Sequence, residues 1–199
     1  MPKLSPRMLQ YAAERAKKET TQEKRRIIHL GNVRDRGITQ GEPRTAAKTR
    51  RYAKRFRKFQ FVGIDIAPMP GRRPKNLEQR RKNFSEGLEK EIDNSVDLIS
   101  SEMALGYYKA YPKSMIDTKS SRKRRKHTKE TIKLAFIKLK PGGKMHITVG
   151  NPVLREILKT LKKTGFEVEH RKSTHKEWLR TFFTAKTKKR YEITATKPI

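Results

Sequence analysis

The stretch Leu139-Lys140-Pro141-Gly142-Gly143-Lys144, running into Met145-His146-Ile147-Thr148-Val149, decides how this chain is read. A proline followed by two glycines makes a turn, because proline presets φ and glycine supplies conformations other residues resist. The apolar and β-branched residues after it read as a strand. Upstream, Ile132, Ala135, Phe136 and Leu139 recur at helical spacing. Downstream, residues 153–161 read as a helix, Thr164-Gly165-Phe166-Glu167-Val168 as the start of a strand, and Tyr191-Glu192-Ile193-Thr194-Ala195 as the last strand, before Thr196-Lys197-Pro198.

The alternation continues towards the N-terminus. Val96-Asp97-Leu98-Ile99-Ser100 is a strand, and Phe59-Gln60-Phe61-Val62-Gly63-Ile64-Asp65-Ile66 is apolar on both faces, as a central parallel strand would be. Ile27-Ile28-His29-Leu30-Gly31 is a first buried strand ending in a turn. Past Met69-Pro70-Gly71 and a basic run, Phe84, Leu88 and Ile92 are the only large apolar residues before Asp93-Asn94-Ser95, so any strand there is expected to be short or absent. In residues 43–58 the apolar face of a helix carries Ala46, Ala47, Tyr52, Ala53 and Phe56, with Tyr52 and Phe56 expected in the core. Ser5-Pro6 before Met8, Leu9, Ala12, Ala13 and Ala16 reads as a capped helix. The expected organisation is a basic helical extension over residues 1–25 and an α/β domain over 26–199. That domain has a mainly parallel twisted sheet with helices on both faces and a basic loop inserted at about 113–129.

Charge dominates the composition. Of 199 residues 36% are charged, against about 25% in ordinary globular chains, and 51 Lys+Arg against 20 Asp+Glu leave a net charge of +31. Such an excess repels itself and is relieved by a polyanion, for which nucleic acid is the first candidate. Three segments carry it. The first holds Arg44, Lys48, Arg50, Arg51, Lys54, Arg55, Arg57 and Lys58 without a single acid among them; a solvated helix would mix signs. The second holds Arg72, Arg73, Lys75, Arg80, Arg81 and Lys82, and the third Lys119, Arg122, Lys123, Arg124, Arg125, Lys126 and Lys129. The chain has no cysteine, which excludes disulfides, thiolate chemistry and cysteine-held zinc. Its five histidines show no metal-ligand spacing. No apolar run approaches a membrane span and the N-terminus lacks a secretory pattern, so the cytoplasm is expected. The lack of cysteine with abundant charge is thermophile-like.

The order of these strands and turns resembles the Rossmann-like, S-adenosylmethionine-dependent class I methyltransferases over roughly residues 26–198. The resemblance implies that a glycine-rich turn follows the first strand and approaches the cofactor's methionine part. Here His29 stands for the acid of that turn, Gly31 is kept, and Val33 and Asp35 replace later glycines, with Gly37 available only through a shifted turn. Asp65 matches the acid that holds the ribose hydroxyls, and Asn83 falls near the acid at the adenine edge. Ser100-Ser101-Glu102 occupies the methyl-transfer position, where Glu102 is an alternative base.

From Val33 and Asp35 the expectation is a cofactor-free, non-catalytic chain that binds ribosomal RNA beside neighbouring ribosomal proteins, in the manner of an archaeal ribosomal protein with this fold. The alternative is an active S-adenosylmethionine-dependent RNA methyltransferase or ribosome assembly factor, using Gly31, Asp65, Asn83 and Ser101 for the cofactor.

Overall fold

The computed structural model describes residues 24–31, 44–66, 72–102, 104–105, 121–173 and 190–199. The helix expected at residues 5–16 lies outside them, as do Val33, Asp35 and Gly37. Seven strands form one sheet: β1 (Arg26–Leu30), β2 (Gln60–Asp65), β3 (Leu77–Arg81), β4 (Val96–Glu102), β5 (Leu139–Gly150), β6 (Glu167–Lys172) and β7 (Arg190–Thr196). Their order is β3-β2-β1-β4-β5-β7-β6. The first five are parallel, and β7 pairs antiparallel to both β5 and β6. The described helices are α1 (Arg44–Arg55), α2 (Phe84–Glu89), α3 (Ser121–Lys138) and α4 (Asn151–Thr164). Among the described residues no helix is long and apolar enough to cross a membrane.

The main core gathers Ile28 and Leu30 of β1, Val62 and Ile64 of β2, and Val96 and Ile99 of β4 with Met145, Ile147 and Val149 of β5. Helices close over it through Leu88, Ile132, Ala135, Ile157 and Leu161. A smaller cluster of Ala53, Phe61 and Leu77 seats α1 against β2 and β3. Burial of this extent, at about 25 cal/mol per Å² of apolar surface, is the main stabilising term.

The Lys-Pro-Gly-Gly turn is an excursion inside β5: the register with β4 moves from Val96↔Leu139 to Leu98↔Lys144. Gly142 has φ +73, and its N–H donates to the Lys197 carbonyl at 2.9 Å. The Lys197 amide returns a bond to Gly143, and its ammonium donates to Leu139 O at 2.9 Å and Asn94 Oδ1 at 2.7 Å. Thus the two quoted C-terminal motifs hold each other. The Gly165 motif closes α4: with φ +104, Gly165 lets its own N–H and that of Phe166 bond back to Lys162 and Leu161. Phe166 then meets Phe136 of α3 edge-on, 5.0 Å between centroids.

One expectation is made definite and two change. The strand expected to be short or absent is present as the five-residue β3, because Leu77 and Arg80 are buried on opposite faces of it while β2 supplies a full parallel partner. The basic run at 121–129 is helix, not inserted loop. Thr128, Thr131, Ile132 and Ala135 form its buried stripe, and lysine and arginine are good helix formers wherever their heads reach water. Tyr52 and Phe56 are not core: they are 42% and 40% exposed, while Thr49 and Ala53 of α1 are buried.

Candidate functional site

In an open parallel sheet the ligand crevice lies beyond the carboxyl ends of the strands, where the strand order reverses. Here that point falls between β1 and β4. Gly31 stands directly after β1 with φ +71, and its N–H donates to Ile64 O at 2.9 Å, extending the β1–β2 ladder by one residue. A Cβ at Gly31 would come within 2.2 Å of the Ala104 Cβ, with the Phe84 ring 3.5 Å away. Only glycine fits, on conformation and on space.

Next to it, Asp65 ends β2 and is fully buried. Ser101, also buried, sits opposite Leu30 in β4, and its hydroxyl accepts from the Leu105 amide at 3.2 Å. Glu102 is exposed at the end of β4, aligned with Thr148 of β5. Gly31, Asp65 and Ser101 therefore converge on three adjacent strand ends. Asn83 is employed otherwise: it is the N-cap of α2, its Oδ1 accepting from the Glu86 amide at 2.9 Å and from Ser85 Oγ at 2.9 Å. Its amide group in turn donates to the Glu86 carboxylate, a capping pair that occupies both ends of the side chain. His29, at the acid's position in the resemblance, places Nδ1 2.6 Å from Ser100 Oγ across the β1–β4 ladder.

The basic residues divide between the two edges of the sheet. Lys138 O accepts from Ser95 N at the start of β4, so the C-terminus of α3 lies at the amino edge and its N-terminus at the carboxyl edge. Arg125, Lys126 and Lys129 are exposed on that N-terminal half, beside the strand ends that carry Gly31 and Asp65. The positive end of the helix dipole adds to them. Arg125 pairs with Glu156 at 3.3 Å and Lys126 with Glu130 at 3.9 Å, both on the surface. Arg81 and Lys82 are exposed at the same edge, with Arg81 Nε donating to Ile66 O at 3.1 Å.

The opposite edge carries Arg51, Lys54, Arg55, Arg57, Lys58, Arg72, Arg73 and Lys75, all exposed, with Arg50 half-buried. The side chains of Arg44, Lys48, Arg122, Lys123 and Arg124 lie outside the described residues, as does Lys119. Arg80 is corrected outright. It is internal, donating to Gly87 O at 2.7 Å and to Glu78 at 2.7 Å, and it pairs with Glu91. Glu91 is buried between Arg80 and Arg26. The hydrogen bond that Arg26 donates to Glu91 raises the Arg26 pKa above its ordinary value, and the bond from Arg80 pulls Glu78 below its own. No periodicity distinguishes such an arginine from its exposed neighbours. The only signal was Glu78 and Glu91 flanking it.

His127 is the remaining titratable group near the crevice. It stacks on Phe84 at 6.2 Å and places Nδ1 3.4 Å from Ser85 Oγ. Burial pushes its pKa below 6.5, outweighing the pull of Glu130 and Glu86. Among the described residues no group of three or more His, Cys, Asp or Glu side chains is placed to hold a metal ion.

No protein-family model matches the chain, and no curated protein sequence matches it. Solved structures do. A putative S-adenosylmethionine-dependent methyltransferase from Listeria monocytogenes superposes with TM-score 0.58 at 13% identity, covering 94% of this chain and 100% of that one. The 16S rRNA (adenine(1408)-N(1))-methyltransferase of Catenulisporales acidiphilia, solved as a variant with its cosubstrate S-adenosylmethionine, gives 0.53 at 16% identity, covering 100% and 93%. A phosphoethanolamine N-methyltransferase of Haemonchus contortus, solved with S-adenosylhomocysteine, gives 0.52 at 17%; this chain spans 96% of its own length but only 53% of that enzyme.

These neighbours overturn the expectation of a chain without cofactor that serves as a non-catalytic component of the ribosome. The proteins that share its architecture are methyltransferases, two of them solved with S-adenosylmethionine or its product. The expectation had rested on Val33 and Asp35, whereas the described part of the crevice keeps its geometry. The residues present are of the kinds a nucleoside would meet: a left-handed glycine follows β1, a buried carboxylate ends β2, and a buried serine lies on β4. The chain has the Rossmann-like fold of the class I methyltransferases.

Proposed function

We propose that the chain is an S-adenosylmethionine-dependent methyltransferase whose substrate is RNA. One observation carries the cofactor half of this reading: Asp65 is buried at the carboxyl end of β2, directly beside the left-handed Gly31 at the point of strand-order reversal. Asp65 would accept the ribose hydroxyls, Gly31 would leave room for the nucleoside, and Ser101 would add a hydroxyl. The cofactor supplies an electrophilic methyl group. Glu102, exposed at the end of β4, would take a proton from the accepting atom.

RNA is the substrate class that the charge supports. The net charge of +31 and the exposed cations of α3 beside the crevice would draw a phosphate backbone to the strand ends. One fold neighbour acts on 16S rRNA, which agrees with this reading.

Titration calorimetry with S-adenosylmethionine should give micromolar binding, and Asp65→Asn should weaken it by about tenfold or more, the scale of losing hydrogen bonds to a charged acceptor. Incubation with methyl-tritiated cofactor and total RNA should then label RNA and not protein. Absence of cofactor binding by the unmodified chain would overturn the proposal.

A further inference from the structure

The amino edge of the sheet carries a feature that cofactor chemistry does not use. Tyr52, in the last turn of α1, and Phe56, just past its end, lie with centroids 6.3 Å apart, and Phe56 stacks on Phe59 at 5.8 Å with the rings 19° from parallel. The Arg55 guanidinium lies 5.5 Å from the Phe56 centroid, and that of Arg25 lies 6.0 Å from Phe59. Tyr52 and Phe56 are 42% and 40% exposed, although Ala53, Phe61 and Leu77 already seat the helix. The loop behind the rings is tied to one side chain. Asn76 Nδ2 reaches the carbonyls of Ala53 and Phe59 at 2.9 Å and of Phe56 at 3.3 Å, binding the helix end to the entry of β3.

We propose that this aromatic ladder is a stacking platform for unpaired bases of RNA, separate from the methyl-transfer crevice. This rests on the RNA reading given above. Three observations favour it. First, no acidic residue occurs between positions 43 and 64, so the segment that carries the rings is positive throughout. Second, arginines already lie over the rings, the combination of cation and π-face that binds single strands without regard to sequence. Third, the ladder is open at Tyr52, its most exposed rung, where a base can continue the series. The phosphates between stacked bases would meet Lys58 and Lys75. The platform lies at the start of β2 and Asp65 at its end, so about 17 Å of strand separates them. It would therefore hold RNA beside the reacting nucleotide, not the nucleotide itself.

The test compares a twelve-nucleotide oligouridylate with a twelve-base-pair RNA duplex, each by fluorescence anisotropy across a salt series. Tyr52→Ala with Phe56→Ala should weaken the single strand by about tenfold or more, leave the duplex within twofold, and leave the salt slope of both unchanged. Phe56→Tyr should retain the single-strand affinity, and an unaltered far-ultraviolet spectrum establishes that the double variant folds. Equal losses on both probes, or no loss on either, would overturn the platform. So would single-strand binding that rises when residues 1–20 are deleted, since the rings would then be covered by the chain itself. Calorimetry with S-adenosylmethionine on the same variants separates the two proposals. The platform fails with cofactor binding intact, whereas the methyltransferase reading fails when the unmodified chain binds none.

Discussion

At Gly31 a single added carbon tests the architecture of the crevice. Gly31→Ala would place a Cβ 2.2 Å from the Ala104 Cβ in a backbone with φ +71, so both strain and overlap oppose it. The expected loss is about 2–4 kcal/mol, read as a lower midpoint in urea denaturation. A second residue-scale prediction concerns Glu91, whose carboxylate stands buried between two arginines. Glu91→Gln leaves both cations without their counter-charge and should cost about 3–5 kcal/mol. Arg80→Lys would not substitute, because one ammonium cannot meet Glu78, Glu91 and the Gly87 carbonyl together. His127 gives a pH dependence. Its folded pKa lies below 6.5, so the unfolded chain binds the proton more readily. The stability that follows from its neutrality is complete above 6.5 and is lost as pH falls through the folded value. His146, lowered by burial and then by Lys144, acts in the same direction. Thermal melts between about pH 7 and 5 should therefore slope downward, and His127→Phe, which keeps an aromatic against Phe84, should flatten that slope.

Among the elements, α3 carries both packing residues and exposed cations. Its buried stripe of Thr128, Thr131, Ile132 and Ala135 fastens it to the sheet, and its N-terminal half carries the cations to the crevice. Replacing Arg122, Lys123, Arg124, Arg125 and Lys126 with glutamine should leave the fold intact and reduce the slope of log affinity against log salt for RNA. Each lost phosphate contact removes about 0.7 to 0.9 from that slope, and an unchanged slope would place this half of the helix away from RNA. The excursion in β5 is an element of another kind, since its geometry depends on the C-terminus. Lys197→Met, which removes the donors to Leu139 O and Asn94, should cost about 1–3 kcal/mol, visible as a reduced melting temperature. Both quoted glycine turns were legible because a positive φ leaves a direct trace in residue type. The start of α3 was not legible, because all nine residues from 121 to 129 are polar and its apolar stripe emerges only from Ile132 onward.

For the molecule as a whole, two groups of exposed cations among the described residues stand at opposite ends of the strands of one sheet. The carboxyl edge joins the cations of α3 to Gly31, Asp65 and Ser101; the amino edge joins those of α1 to exposed aromatic rings. Cofactor binding should stabilise the whole domain by mass action, about 2.7 kcal/mol at a hundredfold excess over Kd. Asp65→Asn should abolish most of that thermal shift, which differential scanning calorimetry would register. The sequence by itself determined the alternation of strand and helix, the parallel sheet, and the residues at the strand ends, because apolar periodicity and turn chemistry are local and leave their mark in order. It equally determined the excess of positive charge, since net charge needs no coordinates. Only the tertiary structure decided which arginines face water and which are spent on Glu78 and Glu91, that Asn83 caps a helix, and that Tyr52 and Phe56 stand outside the core. Those outcomes depend on which distant residues occupy the neighbouring space, and nothing local records them.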